Sequence, residues 1–453
     1  MLNQHRMSDS KEKSLILENM KKRRHCDNDN QNQDRFSDLP DFVLLHILSF
    51  LNTKHVVRTC VLSKRWKHLW KRISTLMLHS TNFSTVRHFA TFVSKILTLR
   101  DTSTALHALD LDRHGDIEPQ LLKKVLNYVC SHNAYLEELG ISVSADSSLI
   151  MRCVSSCHAL TSLKLSLYPR RSCNHTPTVF PKSLNLPSLT SLNLTNFVFC
   201  GAESGCVEPF FAFTKLNSLV INSCKVKDAQ ILSISSDTLV NLAIKDPLEI
   251  INLATQTDYS SNFAEIKLST PNLNTFNFTG DLIQKICRSG LSSVKQVNID
   301  HSLQDDASVE HGLVIFNWLL DFANVESLTV TSTTLQILYL VPDLLEVKLP
   351  SLCKLKSLEV ELTPLDDGYL SQTIKDSMLK KAAAKSDDEE FYKLIKAFKY
   401  RLELPPIPDG IIDFLRQNSP SAQVTFTTEF PHRFNLMEVE ESDSAASPNL
   451  YLC

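Results

Sequence analysis

A six-residue phrase, apolar-x-x-apolar-x-apolar, returns ten times between residues 106 and 360, and nothing else in the chain limits its possible folds as strongly. It reads Leu106-His-Ala-Leu-Asp-Leu111, Leu136-Glu-Glu-Leu-Gly-Ile141, Leu160-Thr-Ser-Leu-Lys-Leu165, Leu189-Thr-Ser-Leu-Asn-Leu194, Leu216-Asn-Ser-Leu-Val-Ile221 and Leu239-Val-Asn-Leu-Ala-Ile244. Looser copies follow at Leu273 to Phe278, Val294 to Ile299, Val325 to Val330 and Leu355 to Val360. A single copy arises easily by chance. Ten in succession do not.

Alternate residues of a strand point to the same side, so the last two apolar positions of each phrase turn inward together while the leading one packs beneath the strand. No single repeat buries its apolar face, whereas a stack does, which predicts a curved parallel sheet. The starts at 136, 160 and 189 lie 24 and 29 residues apart, a period within the range of leucine-rich repeats. Several copies lack the Asn or Cys that closes the turn after the strand in regular repeats of this kind. The expectation is an α/β chain with an irregular solenoid over 100–361, its convex side made of strands, turns and short helices of uneven length.

In each repeat the residue between the last two apolar positions faces the concave side. The row reads Asp110, Gly140, Lys164, Asn193, Val220, Ala243, Asn277, Asn298, Thr329 and Glu359. Of these, Asp110, Lys164, Asn193, Asn277, Asn298, Thr329 and Glu359 are the candidate substrate-binding residues. A face built for phosphates carries a ladder of Lys and Arg, and here only Lys164 stands in the row. A protein partner is expected, and no nucleic acid.

Ahead of the repeats, residues 35–78 hold three short amphipathic segments. Pro40 suits a first helical turn, because its missing N–H has no helical partner there, and Asp38 and Asp41 place negative charge at the favourable end of the helix dipole. Leu44, Ile47, Leu48 and Leu51 recur at helical spacing. Asn52-Thr53 ends this helix, Thr53 caps the next, with Val56 and Val57, and Ser63 caps a third, with Trp66, Leu69 and Trp70 on one face. So small a unit buries only a limited core by itself, and its apolar excess points to a docking role.

Behind the repeats, residues 362–430 read as a terminal cap. Ser386-Asp-Asp-Glu389 fits a capping box, followed by an apolar stripe of Phe391, Leu394, Ile395 and Phe398. A short helix at 410–416 and a strand at 422–428 complete it, closing the open end that a repeat stack needs covered. Residues 1–34 and 431–453 are polar tails expected to be disordered. Lys21-Lys-Arg-Arg24 in the first tail reads as a nuclear import signal or as a solvated charge cluster.

Composition excludes several classes. The 453 residues carry a net charge of -3, with 43% hydrophobic and 21% charged residues, as in an ordinary soluble protein. There are only 9 glycines, and neither GxGxxG nor GxxxxGK[ST] occurs, so no nucleotide cofactor is expected. No apolar run is long enough to span a membrane, and the first thirty residues lack a signal-peptide core. A nuclear or cytoplasmic protein is expected. The 12 cysteines are scattered without a CxxC pair, which argues against zinc and for reduced, mostly buried thiols. Cys157-His158 and Cys173-Asn-His175 are close Cys–His neighbours, and both read as ordinary residues of turns and loops between repeats. No catalytic residue emerges, and neither a metal nor a cofactor is called for.

Asp38-Leu-Pro-Asp, Ile47-Leu-Ser-Phe-Leu51, Val61-Leu-Ser-Lys-Arg-Trp66 and Leu69-Trp70 together resemble the F-box of plant F-box/leucine-rich-repeat proteins. The repeats resemble those of the same family, and Ile411-Ile-Asp-Phe-Leu-Arg-Gln-Asn-Ser-Pro420 resembles their C-terminal FBD segment. The resemblance implies a non-catalytic substrate receptor of a cullin-based ubiquitin ligase, docked to a Skp-type adaptor and through it to the cullin and its RING subunit. Carried over by position, Leu39, Pro40, Leu44, Ile47, Leu48, Leu51, Val56, Val61, Trp66 and Trp70 lie in or beside the adaptor surface, some of them holding the helices together instead. Phe42-Val43 departs from the family, where an acidic residue precedes an aliphatic one. The alternative is a repeat scaffold or regulator with a vestigial F-box and no ligase role.

Overall fold

The computed structural model describes residues 39–145, 147–168, 178–201, 205–251, 263–281, 283–287, 291–301, 309–362, 372–384, 388–400, 407–408 and 410–428. Lys21 to Arg24, Asp38, Cys173 and Ser386 of the readings above, with both tails, lie outside them. The chain divides into two compact units, with the boundary between Ile73 and Ser74.

The first unit opens with helix α1 (Asp41–Ser49). Pro40 sits just outside the helix, and its carbonyl accepts from the backbone N–H groups of Val43 and Leu44 at 3.0 and 3.2 Å. Helix α2 (Thr53–Arg58) follows. Its cap is Asn52, not Thr53: the Asn52 side chain accepts from the Lys54 N–H at 3.0 Å, while Thr53 is the first helical residue and fully buried. The third segment is a 3-10 helix, Trp66–Arg72, without a Ser63 side-chain cap. Three residues per turn line up positions three apart, so Trp66 and Leu69 share one line and are both buried.

The second unit is dominated by a parallel sheet whose described strands run in chain order. They are β1 (Thr75–His79), β2 (Ala108–Asp116), β3 (Glu138–Ser144), β4 (Ser162–Tyr168), β5 (Ser191–Thr195) and β6 (Ser218–Asn222). Then come β7 (Asn241–Lys245), β8 (Thr275–Thr279), β9 (Gln296–Asp300), β10 (Ser327–Thr331), β11 (Ser357–Glu361) and β12 (Gln423–Thr427). The sheet curves without closing, as a leucine-rich-repeat solenoid does. Each of the ten phrases is one strand, β2 to β11. Their leading residues, from Leu106 to Leu355, are at most 1% exposed, and the two inward strand positions of every phrase are buried. At about 1.5–3 kcal/mol per buried aliphatic side chain, this stack of triplets is the main source of stability.

Strand β1 extends the sheet ahead of the first phrase, with Leu76 and Leu78 buried. At the other end β12 pairs in parallel with β11, so the expected C-terminal strand continues the sheet itself.

The convex side varies along the stack. Helices α3 (Val86–Leu99), α4 (Pro119–Ser131) and α5 (Ser147–Ser155) serve the first repeats. The middle repeats instead form two small parallel sheets, one from Thr178–Val179, Phe197–Cys200, Lys225–Lys227 and Glu249–Ile251, the other from Cys206–Val207, Ile231–Ser235 and Glu265–Ser269. Helices return as α6 (Val309–Asp321) and α7 (Ser332–Leu338). The cap adds α8 (Gln372–Ala384), which the sequence did not reveal, then α9 (Asp388–Lys399) and α10 (Ile411–Asn418).

The turn after each middle strand is closed by left-handed backbone. Asn196, Ser223, Asp246 and Gly280 have φ of 64°, 46°, 62° and 132°. Their N–H groups donate to Asn222, Lys245, Thr279 and Asp300 of the next repeat at 2.7–3.1 Å, so the backbone ladder runs on past the strand ends. Glycine is required at 280, where a Cβ would stand 2.9 Å from the Asp246 Cα.

Candidate functional site: two binding faces

Helix α1 is apolar on both sides. Leu44 and Leu48 point inward and are at most 1% exposed, as are Val56 and, at 7% or less, Trp66 and Trp70. These five are core residues of the fold, the members of the carried-over set that hold the helices together, and a docking protein meets what is left outside. Outside stand Pro40, Ile47, Leu51 and Val61, with Leu39 half-buried. They are joined by residues the sequence reading left out. Phe42 is 73% exposed, Phe50 69% and Leu62 64%. Phe42, His46 and Phe50 are spaced at i, i+4 and i+8, one outward stripe, and the His46 and Phe50 rings meet edge-on at 4.9 Å. A helix that is hydrophobic all round is ordinarily covered all round.

A charge clasp holds this unit in shape. Asp41, in the first turn of α1, accepts from Arg65 at 2.8 Å and from Arg72 at 3.2 Å, and Arg65 also bonds the Leu39 carbonyl. The Arg65 hydrogen bond holds the Asp41 carboxyl below its ordinary range, slight desolvation opposing it and the Arg65 and Arg72 charges reinforcing it. Arg65 of the sequence phrase therefore anchors the start of α1 to the segment before Trp66.

The second face lies on the strands. Asp110, Gly140, Lys164, Asn193, Val220, Ala243, Asn277, Asn298, Thr329 and Glu359 are directly paired from strand to strand, with Met77 and Thr425 extending the row at its ends. Lys164 and Asn298 are exposed, Gly140 is buried, and the others named from the sequence are half-buried. The neighbouring row reads Ser162, Ser191, Ser218, Asn241 and Thr275 across β4 to β8. The middle of the face thus carries hydroxyls and amides with the apolar Val220 and Ala243, Lys245 stands exposed beside them, and carboxylates gather at the ends.

At the β1 end His79 and Asp110 form an ion pair at 2.9 Å. The Asp110 hydrogen bond raises the His79 pKa above its ordinary value, against the opposing pull of burial. For Asp110 burial pushes upward, but the hydrogen bond and charge of His79, with the charge of Lys164, outweigh it and leave the carboxyl lowered. At the far end stand Asp300, Glu359 and Glu361.

Among the described residues, no cluster of three or more His, Cys, Asp or Glu is arranged to hold a metal ion. No helix there is long and apolar enough to cross a membrane. An open groove between α3 and α4 is lined by Arg87, Lys95, Glu118 and Lys124, but the Lys124 ammonium is already committed to the Ser94 carbonyl and the Thr98 hydroxyl.

Residues 36–76 match the F-box domain. Over 346 residues the chain is 25% identical to an FBD-associated F-box protein of Arabidopsis thaliana, covering 73% of this chain and 69% of that one. It is 26% identical to F-box/LRR-repeat protein 13 of the same plant over 68% of this chain and 66% of the other. An Arabidopsis F-box/FBD/LRR-repeat protein is 24% identical over 68% and 67%. The chain spans about two thirds of the length of these relatives. The chain carries an F-box domain at residues 36–76 and is similar over most of its length to the F-box/LRR and F-box/FBD/LRR proteins of plants.

Proposed function

We propose that this chain is the substrate-recognition subunit of a Skp–cullin–F-box ubiquitin ligase. The outward apolar face of the F-box unit docks a Skp-type adaptor, and through it the cullin and RING subunits. The concave row holds a protein target, and the chain performs no covalent step in ubiquitin transfer. It works by proximity, keeping target lysines near the charged conjugating enzyme and so raising their effective concentration.

The observation that carries this reading is the outward set Phe42, Ile47, Phe50, Leu51, Val61 and Leu62 in a unit matching the F-box domain. Side chains of this size forgo about 1.5–3 kcal/mol each while exposed, which a partner surface recovers. The lack of a Lys and Arg ladder in the row, where Lys164 is the only basic residue, supports a protein target over a polyanion. A nuclear or cytoplasmic setting goes with the same reading. The test is co-purification with a Skp-type adaptor: the wild type is retained, and Leu39→Ala with Pro40→Ala is not. Failure of the wild type to bind would sink the proposal.

A further inference from the structure

Three of the cysteines meet behind the first repeats. Cys130 closes α4 and is exposed, Cys153 lies in α5 and is buried, and Cys157 follows α5 and is buried. Cys153 is helical, and this brings it against α4, where its thiol donates to the Leu126 carbonyl at 3.6 Å. The Ser156 hydroxyl lies 3.7 Å from the Cys130 sulfur and 3.9 Å from that of Cys157. Cys157 and Cys130 both act on the Cys153 thiol and, with burial, push its pKa up. The Cys157 thiol also reaches the Cys153 carbonyl at 3.3 Å. Three sulfurs thus form one cluster across two successive repeats, with a single member open to solvent.

We infer that Cys130, Cys153 and Cys157 form a peroxide-sensitive site in which Cys130 is oxidised first and Cys153 then bonds to it, stapling α4 to α5. A thiol open to solvent is the one an oxidant reaches. In the first step the Cys130 thiol attacks hydrogen peroxide, the O–O bond breaks, and Cys130 becomes a sulfenic acid with release of water. In the second the Cys153 sulfur attacks the Cys130 sulfur, the S–O bond breaks, a disulfide forms, and the Cys153 proton leaves with the hydroxyl as a second water. Two thiols are oxidised and one peroxide is reduced.

The environment suits these roles. Cys157 is the thiol best set to hold negative charge, its pKa lowered by the Cys153 hydrogen bond first, against burial, with Ser156 and Asn133 assisting. Cys153 itself is kept protonated by its hydrogen bond to Cys157 and by burial, so it stays a thiol until Cys130 carries a leaving group. The staple joins the helices behind β2 and β3, the strands that carry Asp110 and Gly140, and ties oxidation to the charged end of the concave row.

The test is peroxide treatment of the folded full-length chain, alkylation of remaining thiols, and peptide mapping without reductant. The expected product is a Cys130–Cys153 linked peptide that dithiothreitol reverses and Cys130→Ser abolishes, with a raised unfolding midpoint in the oxidised wild type alone. The inference is overturned if Cys130 proceeds to sulfinic or sulfonic acid while Cys153 stays alkylatable on unfolding. It is equally overturned if the same link forms as readily in urea, where the cluster no longer exists.

Discussion

His79 Nε2 lies 2.9 Å from Asp110 Oδ2 across the first two strands of the sheet, on the side that opens to the concave face. The pair exists because the next strand offers no side chain in its way. A Cβ at Gly140 would stand 2.3 Å from the other Asp110 oxygen. Asp110 therefore swings over Gly140 and toward His79, and the charged end of the row has a defined geometry.

The pair makes this end of the face pH-dependent. His79 titrates above its ordinary value of 6.5, so its contribution is fully present below the unfolded histidine pKa and is lost as pH rises through the folded one. The Asp110 contribution runs the other way, present above the ordinary carboxylate range and lost as pH falls through its lowered value. The pair is thus complete in mildly acidic solution, above the ordinary carboxylate range and below 6.5, and is lost as pH rises through the raised His79 value. Following the His79 imidazole by NMR, we expect a midpoint above 6.5 in the wild type and a downward shift in Asp110→Asn. An unchanged midpoint contradicts the pairing.

Gly280→Ala and Gly205→Ala test the left-handed turn ladder. Both glycines have positive φ, 132° and 70°. Only Gly280 is pressed against backbone, whereas nothing lies within 4 Å of a Cβ at Gly205. Strained backbone of this kind costs about 1–3 kcal/mol, and the clash at 280 adds to it. Urea unfolding is expected to show a larger loss for Gly280→Ala than for Gly205→Ala; equal losses exclude the close approach as a factor.

Adjacent residues of β5 separate stability from recognition. Leu194 is fully buried and Asn193 is half-buried in the concave row. Leu194→Ala is expected to cost about 2–5 kcal/mol. Asn193→Ala is expected to fall within roughly 0.5 kcal/mol of wild type. Thermal and urea melts check both, and a large loss at Asn193 would assign it a structural role.

Much of this was legible because alternation with a leading apolar residue suffices to define a strand in a stack. Every phrase from Leu106 to Val360 became one. Strand β1 obeys the same pattern, Ile73-Ser-Thr-Leu-Met-Leu78, but it directly follows Trp70 and reads as the tail of the helical segments. Strands on the convex side were expected, but their positions were not legible, because they are short and rest on turns whose left-handed residues are Asn196, Ser223 and Asp246, types equally common in plain loops.

The F-box face shows a different limit. Leu44, Ile47, Leu48 and Leu51 have helical spacing, yet Leu44 and Leu48 are core while Ile47 and Leu51 face outward. Periodicity reports which residues share a face, and on a helix apolar all round it cannot report which face the rest of the chain covers. The available signal was the aromatic pair Phe42 and Phe50, eight positions apart. The same ambiguity applied at Asn52-Thr53, where both residues are good caps and Asn52 is the one that bonds the Lys54 N–H.

Docking through that outward face is the central claim, and calorimetric titration of the full-length chain with a purified Skp-type adaptor measures it most directly. The wild type is expected to bind, and Phe50→Ala with Val61→Ala to weaken binding at least about tenfold, since buried apolar anchors carry most of an interface's energy. The unfolding midpoint should stay unchanged, because both side chains are already exposed. A wild type that does not bind, or a double variant that binds as tightly, contradicts the account.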